Sequence, residues 1–152
     1  MAVAKSGIFT TKTPRHEVDT KTNPYDALPP ETERVATLVV DAAFKVHSAL
    51  GPGLLESVYE TCLVHELKGR GLTVQRQISF PVVYDNLRLD AGLRLDLLVE
   101  DQVVVELKAV EKLLPIFDAQ LLTYLKLSEN RLGLLINFNV SRIKDGIKRF
   151  VL

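Results

Sequence analysis

The chain contains no tryptophan, one cysteine and one methionine among its 152 residues. A lone cysteine excludes an internal disulfide, so burial and hydrogen bonding must hold the fold, and a reducing, cytoplasmic setting fits. Cys62 falls on the apolar side of an expected helix with no histidine–acid pairing around it, which reads as a buried, inert thiol. No apolar run approaches the roughly 20 residues that a membrane span requires, so no membrane partner is expected. Net charge is missing as well: 19 basic residues balance 19 acidic ones, with three histidines counted neutral. That removes any global attraction to nucleic acid and leaves only local basic faces. No phosphate-binding glycine loop, dinucleotide fingerprint or CxxC pair is present. The start, Met1-Ala2-Val3-Ala4-Lys5, lacks the apolar stretch of a secretory signal. Lys5, Lys12 and Arg15 with several threonines give a faint transit-peptide composition, but an ordinary disordered extension is the better account.

What the chain does have is apolar material, 47% of its residues, enough for one domain with a sizeable core. Pro14, Pro24, Pro29 and Pro30 punctuate residues 1–33, which read as a flexible or irregular N-terminal arm ahead of a domain over 34–152. Val35, Leu38, Val39, Ala42, Ala43, Val46 and Leu50 then recur at helical steps, stopped by Gly51-Pro52-Gly53. A second helix follows on Leu55, Val58, Tyr59, Cys62, Leu63 and Leu67, ending at Gly69 and Gly71. Strand-like runs occupy Thr73–Tyr84, Leu87–Val99 and Gln102–Val110, with Asp85-Asn86 as a turn. Phe117 to Leu127 reads as a helix, Leu132 to Phe138 as a buried strand, and Gly146–Leu152 as a short edge strand. The order is α-α-β-β-β-α-β with a small tail, an α/β architecture with a mixed central sheet.

The chemistry concentrates in the middle strands. Asp96 lies in one apolar run, and Glu106 and Lys108 lie two apart in the next, so the latter two share a strand face. With Glu100-Asp101-Gln102 as the turn, Val99 meets Val103 and Asp96 meets Glu106. Opposed carboxylates repel, and a divalent cation would convert repulsion into ligation. The competing reading is a salt bridge from Lys108 to either acid; Asp96 at the matching position brings the two readings level. Glu56 and Tyr59 share a helical face, as do Gln120 and Tyr124. Taken alone, Glu56 is explained by the helix dipole and Tyr59 by the core. His47 and His65 show no metal-ligand spacing and read as solvated or satisfied histidines. Arg142, Lys144, Lys148 and Arg149 cluster near the C-terminus, with Lys112 and Lys126 around the third helix. They are a solvated face unless they ring the acids, where they would position a phosphate backbone.

Together these stretches resemble the GxxExxY protein family of the PD-(D/E)xK nuclease-like superfamily. The likeness rests on Gly53, Glu56 and Tyr59 in their surroundings from Val46 to Glu60, and on Asp96-Leu97-Leu98-Val99. It extends to Val105-Glu106-Leu107-Lys108-Ala109-Val110, Gln120-Leu121-Leu122-Thr123-Tyr124-Leu125-Lys126 and Leu134-Leu135-Ile136-Asn137-Phe138. It departs at the proline of the name-giving motif, with Arg94 two residues before Asp96. The resemblance implies a restriction-endonuclease-like α-β-β-β-α-β core, a mixed sheet flanked by helices. It implies Asp96, Glu106 and Lys108 as the D…(D/E)xK residues, Glu56 as the helical acid, and Gln120 with Tyr124 as the motif of the following helix. Asp96, Glu106 and Glu56 would then hold Mg²⁺ or Mn²⁺, Lys108 would position the attacking water, and the substrate would be DNA or RNA. A homodimer is compatible with that template. The expected function is therefore a divalent-metal-dependent nuclease. The alternatives are a non-catalytic nucleic-acid-binding or protein-assembly module that keeps the fold, or an interaction protein whose acid–lysine cluster is structural.

Overall fold

Pro29 and Pro30 set where the first helix starts. In the computed structural model, which describes residues 27–152, α1 runs Pro30–Leu50, with Pro29 as N-cap and proline again in the first turn. Proline is tolerated there because its missing N–H would be unpaired anyway. Glu31 and Glu33 in that turn complement the dipole. The helix thus begins four residues ahead of the expected boundary at Arg34. Leu28, before it, is buried in the core. The remainder of the expected arm, with His16 and the basic residues at its start, lies outside the described residues.

Gly51 and Gly53 take left-handed φ angles of 67° and 99°, which turn the chain into α2, Glu56–Gly69. The strands follow as β1 (Val74–Tyr84), β2 (Leu87–Val99) and β3 (Val103–Lys108). Glu100 and Asp101 both have positive φ in the three-residue turn Glu100-Asp101-Gln102 between β2 and β3, where the Gln102 amide donates to the Val99 carbonyl at 3.0 Å. Helix α3 (Pro115–Ser128) crosses to β4 (Leu132–Asn137), and a short 3₁₀ turn at Ile143–Gly146 leads to β5 (Ile147–Val151). Sheet order is β1-β2-β3-β4-β5, antiparallel except for the parallel β3–β4 pair that α3 bridges. The expected mixed α/β order is therefore observed.

Two cores sandwich the sheet. Val35, Val39, Ala42 and Val46 of α1 and Tyr59, Leu63 and Leu67 of α2 pack with Leu97, Val103, Val105 and Ile136 on one face. On the other, Leu121 and Leu125 of α3 pack with Leu95, Leu98, Val104 and Leu135. β4 is buried along its whole length, as its unbroken apolar run requires. Cys62 is only half-buried, not sealed in the core as expected: with Ala49, Leu50 and His65 it lines a cavity of about 360 Å³ between α1 and α2. His47 is satisfied by the carbonyl of Val140 at 2.7 Å. Among the described residues no helix is long and apolar enough to cross a membrane.

The C-terminal basic residues serve the fold. Lys148 pairs with Asp118 of α3 at 3.2 Å, and Arg149 pairs with Glu33 of α1 at 2.6 Å. Neighbours on β5 point to opposite faces, so the two side chains tie the strand to helices on both sides. Two of the four clustered charges are thereby committed within the protein. Arg142 and Lys144 remain exposed.

Candidate active site

Leu97 stands opposite Val105, Leu98 opposite Val104 and Val99 opposite Val103, a register that carries Asp96 to Glu106. Regular pairing stops there and the carboxylates enter the ladder. The Asp96 amide donates to Glu106 Oε1 at 3.1 Å, and the Leu107 amide donates to Asp96 Oδ2 at 2.8 Å. Each acid thus satisfies a backbone N–H of the neighbouring strand, which the sequence pattern of two free carboxylates on one face did not anticipate. Glu106 is 6% exposed. Burial, and then the charge of Asp96, push its carboxyl up to about 8. Burial raises Asp96 as well, while the Leu107 amide and a hydrogen bond shared with Glu106 pull it back down. The two acids titrate as a coupled pair, with Glu106 the strongly raised member.

A break in the hairpin puts Asp96 between the two layers. Arg76 pairs with Leu97 and Ile78 with Leu95, so Gln77 falls at the register position of Asp96. Gln77 has φ 48°, a left-handed conformation uncommon for a non-glycine residue. Leu95 and Leu97, two apart, would share a face in a regular strand. Instead Leu97 packs toward α1 and α2 while Leu95 packs toward α3. Asp96 sits at this change of face, within electrostatic reach of both helical layers.

From α3 comes Tyr124, half-buried, whose hydroxyl is pushed up by burial and then by the charges of Glu106 and Asp96, with a hydrogen bond to Gln120 acting the other way. The structure thus pairs Gln120 with Tyr124 and brings Tyr124 to the acids. From α2 comes Glu56, on the solvent side of the first turn, raised by desolvation and next by Asp96, with Lys108 pulling it back. Tyr59, by contrast, belongs to the fold. It is fully buried and stacks on Phe138 with ring centroids 4.6 Å apart. Its hydroxyl donates to the Gly51 carbonyl at 2.6 Å and accepts from the Leu54 amide at 3.1 Å, locking the glycine turn that aims α2. Tyr59→Phe is expected to lower the unfolding free energy by about 0.5–1.5 kcal/mol, measured by urea denaturation, because two part-buried hydrogen bonds to the backbone are lost.

Lys108 makes no ion pair among the described residues, so the simple salt bridge to Glu106 or Asp96 is not formed. Its ammonium lies over the Phe117 ring at 4.4 Å from the centroid. Its backbone is fixed from the residue that follows β4: the Phe138 amide donates to the Lys108 carbonyl at 2.9 Å. One turn after Glu56, Glu60 is a buried acid that the sequence reading passed over. Its charge raises Asp96 and Glu56. The four-residue step between Glu56 and Glu60, like charges on one helical face, was the available signal.

Among the described residues no group of three or more His, Cys, Asp or Glu side chains is disposed to hold a metal ion. The expected trio of Asp96, Glu106 and Glu56 is thus not drawn together as a ligand set. The donor chemistry of the two strand acids still suits a hard cation, since Mg²⁺ is commonly bound through one or two carboxylates with waters and substrate phosphate completing the shell.

No curated protein and no solved structure gives a significant match. The family model of the PD-(D/E)XK nuclease superfamily matches residues 33–150. That span begins in the first turn of α1, ends in β5 and contains every element that carries the acids and the lysine. The chain belongs to the PD-(D/E)XK nuclease superfamily.

Proposed function

We propose that the protein is a divalent-metal-dependent nuclease that hydrolyses phosphodiester bonds of DNA or RNA, with Mg²⁺ or Mn²⁺ as the cation. The observation that carries this reading is the lysine. It is set two residues from Glu106 and its charge is felt at both acids, yet its ammonium packs on Phe117 and forms no ion pair with either among the described residues. Membership of the superfamily supports nucleic acid as the substrate. The lone cysteine supports a cytoplasmic setting. The narrower GxxExxY resemblance rests on Gly53, Glu56 and Tyr59.

Asp96 and Glu106 would hold the cation, with Glu56 at the solvent edge of the same site. The cation supplies charge stabilisation at the phosphate and a lowered pKa for a water. Lys108, kept off the carboxylates, orients that water in line with the scissile bond and offsets charge developing on phosphorus. The water oxygen would bond to phosphorus as the bond to the leaving oxygen breaks, and the proton that the water gives up would end on that departing oxygen, leaving a phosphate monoester and a free hydroxyl. Gln120 and Tyr124, joined by their hydrogen bond, orient Lys108 or a phosphate oxygen from α3.

The test is cleavage of single- and double-stranded DNA and RNA with Mg²⁺ or Mn²⁺, wild type beside Asp96→Ala. Metal-dependent cleavage lost in Asp96→Ala is the expected result. Cleavage that survives the substitution overturns the assignment. Salt-sensitive binding without turnover on every substrate would replace it with the non-catalytic binding module.

A further inference from the structure

Asn137 closes β4 and is 2% exposed, a depth at which a carboxamide needs partners for its polar atoms. It finds them on the chain that leaves β3. Its Nδ2 donates to the Val110 carbonyl at 2.9 Å, and its Oδ1 accepts from the Val110 amide at 3.1 Å. One side chain thus pairs both backbone groups of Val110, as a further residue of a β ladder would. The same Oδ1 takes the Asn139 amide at 3.2 Å. The pairing carries the parallel register past its last member, Lys108 opposite Asn137, where the Phe138 amide already holds the Lys108 carbonyl. On the other side Gly146 packs so closely that a Cβ there would collide with the Asn137 carbonyl. Asn137 is therefore a fixed anchor.

The segment it grips links the two halves of the lysine contact. Lys108 precedes Val110 by two residues, and Phe117 follows in the first turn of α3. We propose that Asn137 is a positioning residue: by clamping Val110 it holds the exit of β3 so that the Lys108 ammonium stays over Phe117 and off the two acids. This deepens the hydrolytic reading above and rests on it for what the lysine does. Lysine carries its charge on a flexible four-carbon stem, so the placement of its backbone and of the ring beneath it decides where the charge stands. A misplacement of about 1 Å can cost about 10²-fold in rate. The competing account is an asparagine that only satisfies two strand ends, and it predicts lost stability with no selective effect on Lys108.

The experiment compares wild type, Asn137→Ser, Lys108→Ala and the double variant. Serine keeps a hydroxyl but is too short to span both groups of Val110. One readout is the NMR shift of the Lys108 ε-methylene in the metal-free protein, which the Phe117 ring displaces in wild type. The other is steady-state cleavage, with Mn²⁺, of the DNA or RNA that wild type cuts, with urea unfolding of each protein. Expected in Asn137→Ser are Lys108 shifts moved toward those of a solvated lysine and a kcat about 10–100-fold lower with KM little changed. In the Lys108→Ala background the same substitution should remove no further rate, since it acts through the lysine. Wild-type Lys108 shifts in Asn137→Ser, or an equal loss of kcat in both backgrounds, overturn the positioning role and leave the hydrolytic reading standing. Displaced Lys108 shifts with no cleavage by wild type overturn the hydrolytic reading and leave the clamp. Should Asn137→Ser not fold, Asn137→Thr, which fills more of the volume and suits a strand, decides by the same criteria.

Discussion

Lys108→Ala is expected to fold with nearly unchanged stability and to cut phosphodiesters roughly 10²–10³-fold more slowly than wild type at saturating substrate. The two halves of this result come from one observation. Lys108 is in no ion pair among the described residues, so its removal leaves no buried acid newly unpaired. What the fold loses is a half-exposed ammonium over Phe117, a contact worth about 0.5–1 kcal/mol. What the reaction loses is a cation whose charge is felt at both Asp96 and Glu106. Lys108→Arg is not expected to restore the rate, because a planar guanidinium cannot reproduce a compact point charge. Steady-state cleavage kinetics and urea unfolding of the same preparations check both halves. A large stability loss in Lys108→Ala would mean that the lysine serves the fold.

The second large effect is a pH dependence with an unusual sign. Most paired carboxylates are depressed in the folded state and stabilise a protein as pH rises. Glu106 is raised, to about 8 against an ordinary 4.5, by burial first and then by Asp96. The folded state therefore binds more protons than the unfolded state between those two values, and stability falls as pH rises through that window. The contribution is fully present below about pH 4.5 and is lost through about pH 8. The slope is about 1.4 kcal/mol per pH unit for one proton, so the metal-free protein should be a few kcal/mol less stable at pH 8 than at pH 5. Glu106→Gln removes the titration while keeping an oxygen for the Asp96 amide and a donor for the Asp96 carboxylate. It should leave stability at pH 5 nearly unchanged and raise it by a few kcal/mol at pH 8. Urea denaturation of both proteins in chelator across that range measures this. Parallel profiles for the two proteins would contradict it.

Much of the fold was legible because its signals are local. The helical spacing of Val35, Val39, Ala42 and Val46, the glycines after Leu50 and the run Leu132–Asn137 each follow from a backbone period or a breaker. The site was legible wherever register followed from one turn: fixing the turn at Glu100-Asp101-Gln102 brought Asp96 to Glu106. The change of face at Asp96 was not legible. It depends on a left-handed glutamine, and nothing in Val74-Gln75-Arg76-Gln77-Ile78 announces that, since glutamine is not a residue that seeks positive φ. The four-residue step from Glu56 signalled Glu60, but its burial was not legible, because the amide that holds it belongs to that glutamine. The basic residues of β5 look free in one dimension. Their partners Asp118 and Glu33 stand 30 and 116 residues away, and only the folded layers bring them together. Lys108 over Phe117 was likewise hidden, because acid-x-lysine fixes the strand face and leaves the rotamer to the neighbouring helix.

The central claim is that Asp96 and Glu106 form a cation site at the point where β2 and β3 part. Calorimetric titration of Mn²⁺ into wild type and into Asp96→Ala tests it before any substrate is chosen. Saturable binding in wild type, absent or weakened at least about 10-fold in Asp96→Ala, is the predicted result. Equal binding by the two proteins, or none by wild type, would contradict it.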